Sequence, residues 1–383
     1  MKTQPFLAAL VSSALAFTLC ACYSSDSPAP VTPVEPHAPF DYQALLDNAV
    51  EGEIPGAVLY IDSPQLYFYG SAGIADIEQS SPMQLDARMP NGSAGKKLTA
   101  LLVAMLVEQN RLDLDHTVST YLPQSLTARI PYASEMTIRQ LLQHTAGLFD
   151  YLNDSDGAFY DAVLAEPDSI KTDDFALSFV LDQPANFSPG QGWGYSNTGY
   201  ILAGLILDQV LGEHHFKTLR SLILEPLGLT SMSYGGLEKA HGPIVSGYFK
   251  LEDELLNTRQ YYQNIGVADA PIVGDAKDMA SLLKMLVEGS HLSDATHQLL
   301  VSDASFIATG IDNLTYSYGL FKQTINGKQV FHHGGSELGY ATYNAYIPGT
   351  QTTLAMLVNC NGYQACDEQH QALYNQIINQ LTQ

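Results

Sequence analysis

Cationic residues are scarce in this chain of 383 residues: 17 Lys and Arg face 40 Asp and Glu, a formal net charge of −23. A surface that acidic repels a phosphate backbone, which argues against nucleic acid as a partner. Cysteine is scarce too: two of the four, Cys20 and Cys22, fall in the N-terminal leader, leaving Cys360 and Cys366 for the body. No Cys-x-x-Cys and no His-Glu-x-x-His occurs, and the 11 His are scattered apart from His214-His215 and His332-His333. No catalytic metal site is therefore expected, and no cofactor is implied. There is no Gly-x-Ser-x-Gly elbow, so His144 is read as structural rather than as part of a Ser-His-Asp triad. Beyond the leader no apolar run is long enough to span a bilayer, which excludes a multi-span membrane protein. The remaining composition, 46% hydrophobic and 15% charged with 30 Gly and 19 Pro, is that of a folded globular chain. Its length suits one large domain or two interlocked ones.

The N-terminus carries an address. Lys2 precedes an apolar run from Phe6 to Leu19, short for a membrane span and typical of an export signal. The run ends in Leu19-Cys20-Ala21-Cys22, which resembles a bacterial lipobox with Cys22 as the lipidated residue; cleavage by an ordinary signal peptidase is the alternative. Cys20 fits less well, because bulky Leu19 stands where a small residue is wanted. Residues 1–22 are thus expected to be a signal with lipobox and residues 23–39, rich in Ser and Pro, an extended tether. An exported protein held on a membrane of the cell envelope, facing the periplasm or the exterior, is the expectation. In an oxidising compartment Cys360 and Cys366 form either a small disulfide loop or two buried thiols.

Residues 40–383 read as one body. Phe40–Val50 has the spacing of an amphipathic helix, and strand-like runs follow at Gly56–Ile61 and Leu66–Ala72. The nearly unbroken apolar run Leu98–Val107 predicts a deeply buried helix. Further helices are predicted at Thr137–His144, Tyr200–Leu211, Ala276–Glu288 and Asp367–Leu381, with β-like runs at Val330–His332, Gly339–Tyr346 and Thr352–Asn359. Strands at both ends and helices between them predict an α+β fold. One antiparallel sheet is then assembled from the two ends, with a mostly helical region, roughly residues 93–300, inserted in the middle.

Three short motifs carry the chemistry. Ser93-Ala94-Gly95-Lys96 places a nucleophile and a base three residues apart, on one face at the start of the buried helix. There the helix dipole favours a developing alkoxide, and burial is expected to lower the Lys96 pKa toward a neutral amine. Lys97 is expected to point elsewhere. A second Ser-x-x-Lys, Ser281 to Lys284, falls mid-helix, where neighbouring turns would crowd an attacking serine. Tyr195-Ser196-Asn197 follows a Gly-rich loop and offers a phenol for proton transfer and an amide to hold a substrate. Two further Tyr-x-Asn triplets, Tyr151 to Asn153 and Tyr262 to Asn264, share that pattern. His333-Gly334-Gly335-Ser336 lies between two β-like runs, where glycine lets another backbone approach a strand edge; a β-bulge beside a structural His is the alternative.

The order Ser93-x-x-Lys96, Tyr195-x-Asn197, His333-x-Gly335 resembles the serine hydrolases that include DD-peptidases, class C β-lactamases and related esterases. Leu112-Asp113-Leu114-Asp115, Ile138-Arg139-Gln140-Leu141-Leu142 and Glu225-Pro226-Leu227-Gly228-Leu229 extend the resemblance, which runs from about Ile54 to the C-terminus. It implies a β-lactamase/transpeptidase-like fold, a five-stranded antiparallel sheet flanked by helices with an α-helical subdomain. It also implies an acyl-enzyme on Ser93, with Lys96 as general base and Tyr195 passing a proton to the leaving group. Asn197 would hold the acyl amide, and the N–H groups of Ser93 and Ser336 would form the oxyanion hole beside Gly335. His333 would stand where many relatives carry Lys, charged only part of the time, with Ser336 and Lys322 as candidates to compensate. The implied substrate is a D-amino-acid peptide, as for a D-alanyl-D-alanine carboxypeptidase, with a small ester as the alternative; strong action on a β-lactam is not expected. A receptor for cell-wall fragments that keeps the fold without catalysis is the competing non-enzymatic reading.

Overall fold

Both ends of the chain meet in one sheet. The computed structural model describes residues 40–252 and 254–383; the export signal, Cys20, Cys22 and the tether lie outside them. Strand Gly56–Asp62 lies between Tyr67–Asp76 and Thr352–Val358, with Ala57 opposite both Ala72 and Val358. Tyr340–Ile347 and Lys328–His332 come next, and these five antiparallel strands are the body of the sheet. The expected count of five is exceeded, because short strands widen the sheet to ten. A meander through Ile307–Ala308, Leu314–Tyr316 and Phe321–Ile325 adds to the Lys328–His332 edge, Ser81–Pro82 adds to the other edge, and Gly335–Glu337 pairs with Tyr340–Ile347.

Alternation along the strands serves two cores. Ala57, Leu59, Ile61, Leu354, Met356 and Val358 face the terminal helices Tyr42–Ala49 and Gln364–Thr382, meeting Leu46, Leu373 and Ile377. Val58, Tyr60, Ala355 and Leu357 face the opposite way, into a larger core with Leu98, Leu102 and Met279. A strand buried on both faces reads as one apolar run, as Thr352–Val358 does. Asp41 caps the first helix by accepting from Ala44 N–H at 2.9 Å, and Thr137 with Gln140 makes a capping box for Ile138–Leu142. Ala276–Glu288 forms as expected, and the buried helix runs Lys96–Glu108.

A second sheet, Met89–Pro90, Ile272–Gly274 and Ser233–Tyr234, carries no periodicity that a sequence could display, its strands being two or three residues long. It fixes the chain just ahead of Ser93, where Asn91 N–H donates to Ile272 O at 2.9 Å. A disulfide joins Cys360, just past the Thr352–Val358 strand, to Cys366 in the first turn of the last helix. Among the described residues no helix is long and apolar enough to cross a membrane.

Lys97 does point away from the serine, into the seam between the sheet and the Ala276–Glu288 helix. Its Nζ donates to Asn344 Oδ1 at 2.8 Å and approaches Met279 Sδ at 3.4 Å. Burial without a carboxylate partner pulls its pKa down to about 7. Between that value and the ordinary lysine range, the unfolded chain holds a proton that the folded chain lacks, so stability falls as pH is lowered through this window. Wild-type protein should lose up to about 1.4 kcal/mol per pH unit from this group between pH ~10 and pH ~7. Lys97→Met should remove that slope, measured as Tm against pH for both proteins; parallel curves would refute it.

Candidate active site

Ser93 occupies a 3-10 turn, Gly92–Gly95, that runs directly into the Lys96–Glu108 helix. Lys96 reaches back one turn, and its Nζ donates to Ser93 Oγ at 3.0 Å, to Asn197 Oδ1 at 2.7 Å and to Asp269 O at 2.9 Å. The Asp269 carboxylate lies 3.6 Å away, and the rings of Tyr195 and Tyr200 flank the ammonium at 5.2 and 5.4 Å from their centroids. Burial works to lower the Lys96 pKa, but the Tyr195 phenol and the carboxylates of Asp269 and Asp150 outweigh it, and the net direction is up. The expected neutral amine is corrected accordingly: the resting group is an ammonium, because the sequence gives no sign of the two acids that fold around it.

Asp150 and Asp269 are the functional residues that motif reading missed. Asp150 accepts from Asn197 N–H at 2.7 Å and from the Asn197 amide at 3.1 Å, and it also takes the N–H groups of Leu152 and Asn153. It thereby does the work of a cap for the Asn197–Leu211 helix, whose own N-cap Ser196 makes no such bond. Asn197 is nearly buried, with its carbonyl on Lys96 and its amide on Asp150. Both ends of the Asn197 side chain are thus engaged within the protein, which gives it a positioning role toward Lys96. Asp269 accepts from Tyr151 Oη at 3.1 Å; burial raises its pKa, and Lys96 pulls the other way. No local pattern ties either acid to the site, since Asn197 and Lys96, the site residues they meet, lie far off in sequence.

Tyr195 is packed beside this group. Its Oη is buried with no well-aligned hydrogen-bond partner, yet Ser93 and Lys96 lie close enough to offset part of the rise that burial imposes on its pKa. The His144 ring stacks 4.2 Å from the Tyr195 ring, and its Nδ1 accepts from Ser196 N–H at 3.1 Å. Burial, then the Lys96 charge, holds His144 far below its usual pKa, so it is a neutral support for the tyrosine loop, as expected.

The edge strand closes the site. His333 N–H bonds to Asn344 O at 3.1 Å, so the bonded positions facing Tyr340–Ile347 are 333, 335 and 337, and Ser336 N–H turns outward. It faces the serine turn: a Cβ placed on Gly92, whose φ is +53°, would stand 2.9 Å from Ser336 N. Gly335 is held tighter still, since a Cβ there would lie 1.9 Å from Asn91 O. The Ser336 side chain points to the other face, its Oγ accepting from Asn361 Nδ2 at 2.7 Å.

Two expectations about charge are overturned here. His333 is buried, its Nε2 3.4 Å from Tyr316 Oη and its Nδ1 2.7 Å from Gly334 O. Burial is the main force holding its pKa well below the ordinary value, so it is neutral rather than partly cationic at neutral pH. Lys322 cannot compensate, because its Nζ bonds to Asp303 at 2.8 Å and lies over the Phe306 ring. The second Ser-x-x-Lys is inert as expected: Ser281 Oγ donates to Lys277 O within its helix, and Lys284 pairs with Asp62.

A Ser-Lys-Tyr group, its lysine fully buried, beneath the edge of an antiparallel sheet defines a serine hydrolase. The chain belongs to the Beta-lactamase family, whose model matches residues 42–377. It is 25% identical over 324 residues to penicillin-binding protein 4* of Bacillus subtilis (strain 168), covering 79% of this chain and 68% of that protein. It is 33% identical over 203 residues to esterase EstB of Burkholderia gladioli, covering 51% of each. A D-stereospecific amidohydrolase from Streptomyces sp. shares the fold, with a TM-score of 0.73 at 24% identity over 84% of this chain and 94% of that one.

The contact at Gly335 generates a test. Gly335→Ala should push the edge strand off the serine turn and lower kcat by about 100-fold, with Tm falling far less in proportion. Turnover of a chromogenic ester beside a melting curve reads both, and full activity in the variant would refute the contact.

Proposed function

We propose that this chain is an acyl-enzyme hydrolase that cleaves a D-amino-acyl amide or peptide bond, with Ser93 as nucleophile. The single observation that carries the reading is the Lys96 ammonium, whose three N–H directions end on Ser93 Oγ, Asn197 Oδ1 and Asp269 O. With two directions fixed by Asn197 and Asp269, loss of one proton leaves a lone pair aimed at Ser93. Lys96 then takes the hydroxyl proton as Oγ forms its bond to the substrate carbonyl carbon. The N–H groups of Ser93 and Ser336 hold the oxyanion. Tyr195 gives its proton to the departing nitrogen or oxygen as that bond breaks, and recovers one from Lys96. Water next attacks the acyl group and releases Ser93 by the reverse proton path.

The leaving-group end of the cleft favours a neutral group. Tyr195 marks that end, and its neighbours are His333 at 6.2 Å, Tyr316 at 6.4 Å and Trp193 at 6.4 Å between ring centroids. With His333 neutral and Lys322 paired to Asp303, neither of these two side chains offers a free cation to a terminal carboxylate. That weakens the D-alanyl-D-alanine carboxypeptidase reading and favours an amide, with an uncharged ester as the second reading on the same grounds. We also propose export and anchoring through Cys22, a reading that the Cys360–Cys366 disulfide supports because such bonds persist in oxidising compartments.

A fluorophosphonate should add to the protein in an intact-mass experiment, the adduct vanishing in Ser93→Ala and persisting in Ser281→Ala. No adduct on folded wild-type protein would sink the assignment, and ready labelling by a penicillin would return the carboxypeptidase to first place. Both Lys96 and Tyr195 are shifted upward, so the pair keeps both protons at neutral pH. The ester kcat/KM should therefore climb on the alkaline side as one proton leaves, and a profile flat from pH ~6 to ~10 would contradict this proton inventory.

A further inference from the structure

We infer that Glu337 forms an ammonium-binding subsite at the acyl end of the cleft, so that the hydrolase selects acyl groups bearing a free, protonated amine. The inference rests on the acyl-enzyme reading above and names the substrate class within it.

Placement comes first. Glu337 lies on the edge strand two residues beyond Gly335, and strand alternation puts His333, Gly335 and Glu337 on one face, the face that meets the serine turn. Tyr195 and His333 mark the leaving-group end. The acyl half of a substrate laid along this edge therefore extends the other way, toward Glu337. The strand rise puts Glu337 roughly 7 Å past Gly335, a span that an α-amine and a glutamate side chain bridge together.

Chemistry comes second. Glu337 Oε2 accepts from Tyr262 Oη at 2.8 Å, and Tyr262 Oη itself accepts from Leu338 N–H at 2.7 Å, which fixes the carboxyl in orientation. Tyr262 belongs to a Tyr-x-Asn triplet that the catalytic group does not use. Oε1 has no hydrogen-bond partner among the described residues, and Glu337 keeps partial exposure. Its charged and titratable surroundings are the phenols of Tyr151, Tyr160 and Tyr262, the Asp269 carboxylate and the Lys96 ammonium. Lys96 is already engaged by three acceptors. Burial pushes the Glu337 pKa up to about 8, with Asp269 adding to the rise. A carboxyl so placed is poorly compensated, and a ligand cation is the group that would compensate it. The net charge of −23 draws cations toward the same cleft.

The test measures protection of Ser93 from a fluorophosphonate by D-phenylalanine amide and by 3-phenylpropanamide, its analogue without the amine. Wild-type protein should be half-protected by the amine at a concentration at least about tenfold lower than by the analogue. In Glu337→Gln that ratio should fall toward one, and Tyr262→Phe should reduce it part-way by releasing the carboxyl. Because the readout is a ratio on the labelled fraction, a loss of folded protein does not imitate it. Equal protection by the two amides in the wild type, or an unchanged ratio in Glu337→Gln, would overturn the subsite while leaving the hydrolase standing. Absence of Ser93 labelling would bring down the hydrolase reading and the subsite with it.

Discussion

One buried ammonium organises this molecule. Removing a lysine charge from water is expensive unless acceptors and a counter-charge surround it, and here the surroundings come from four separate stretches of chain. Ser93 and Lys96 lie on one helical turn, Asn197 opens a second helix, and Asp269 precedes the Ile272–Gly274 strand of the small second sheet. Asp150 acts at one remove, holding the Asn197 amide so that its carbonyl faces Lys96. Loss of any one of these leaves a buried charge under-compensated, so the helical region and the sheet must dock correctly for the lysine to be tolerated at all. The requirement that stabilises the charge is the same one that aims it at the serine.

Much of this plan is legible in the sequence, and the boundary between what is legible and what is not follows physical range. Alternation and helical spacing are local, so Gly56–Asp62, Ala276–Glu288 and the strands at the C-terminus are found within a residue or two. The Ser93, Tyr195 and His333 motifs are local as well, and their order along the chain gives the family. Asp150, Asp269 and Glu337 escape because a carboxylate is defined by what it meets. Each meets residues that are distant in sequence: Asn197, Lys96 and Tyr262. The protonation states of Lys96 and His333 escape for the same reason. Burial was foreseeable for both; the acids around one and the lack of any acid beside the other were not.

The cleft is graded in charge along its length. At one end stand neutral His333 and a wall of aromatic rings, and in the middle is a compensated cation. At the far end are Glu337 and three phenols. On the proposed mechanism, a substrate lying across this gradient would meet uncharged surface under its leaving group and acid under its acyl group. Two relatives of the chain are named for binding penicillin and for cleaving esters, and one shared fold accommodates both. Such a gradient is the kind of feature by which one scaffold is turned from one class of substrate to another.

The pairing of Gly56–Asp62 with Thr352–Val358 joins segments about 300 residues apart. Contacts of that range close a loop of most of the chain, and they form slowly because the entropy of closure precedes any reward from burial. A ribosome-bound chain has its first strands long before it has the strand that completes their sheet, and it has Ser93 long before it has the edge strand Gly335–Glu337. Until that edge arrives, the serine turn lacks the strand that packs against it at Gly335. Assembly of the site thus waits on the C-terminal strands, a delay that comes from topology alone.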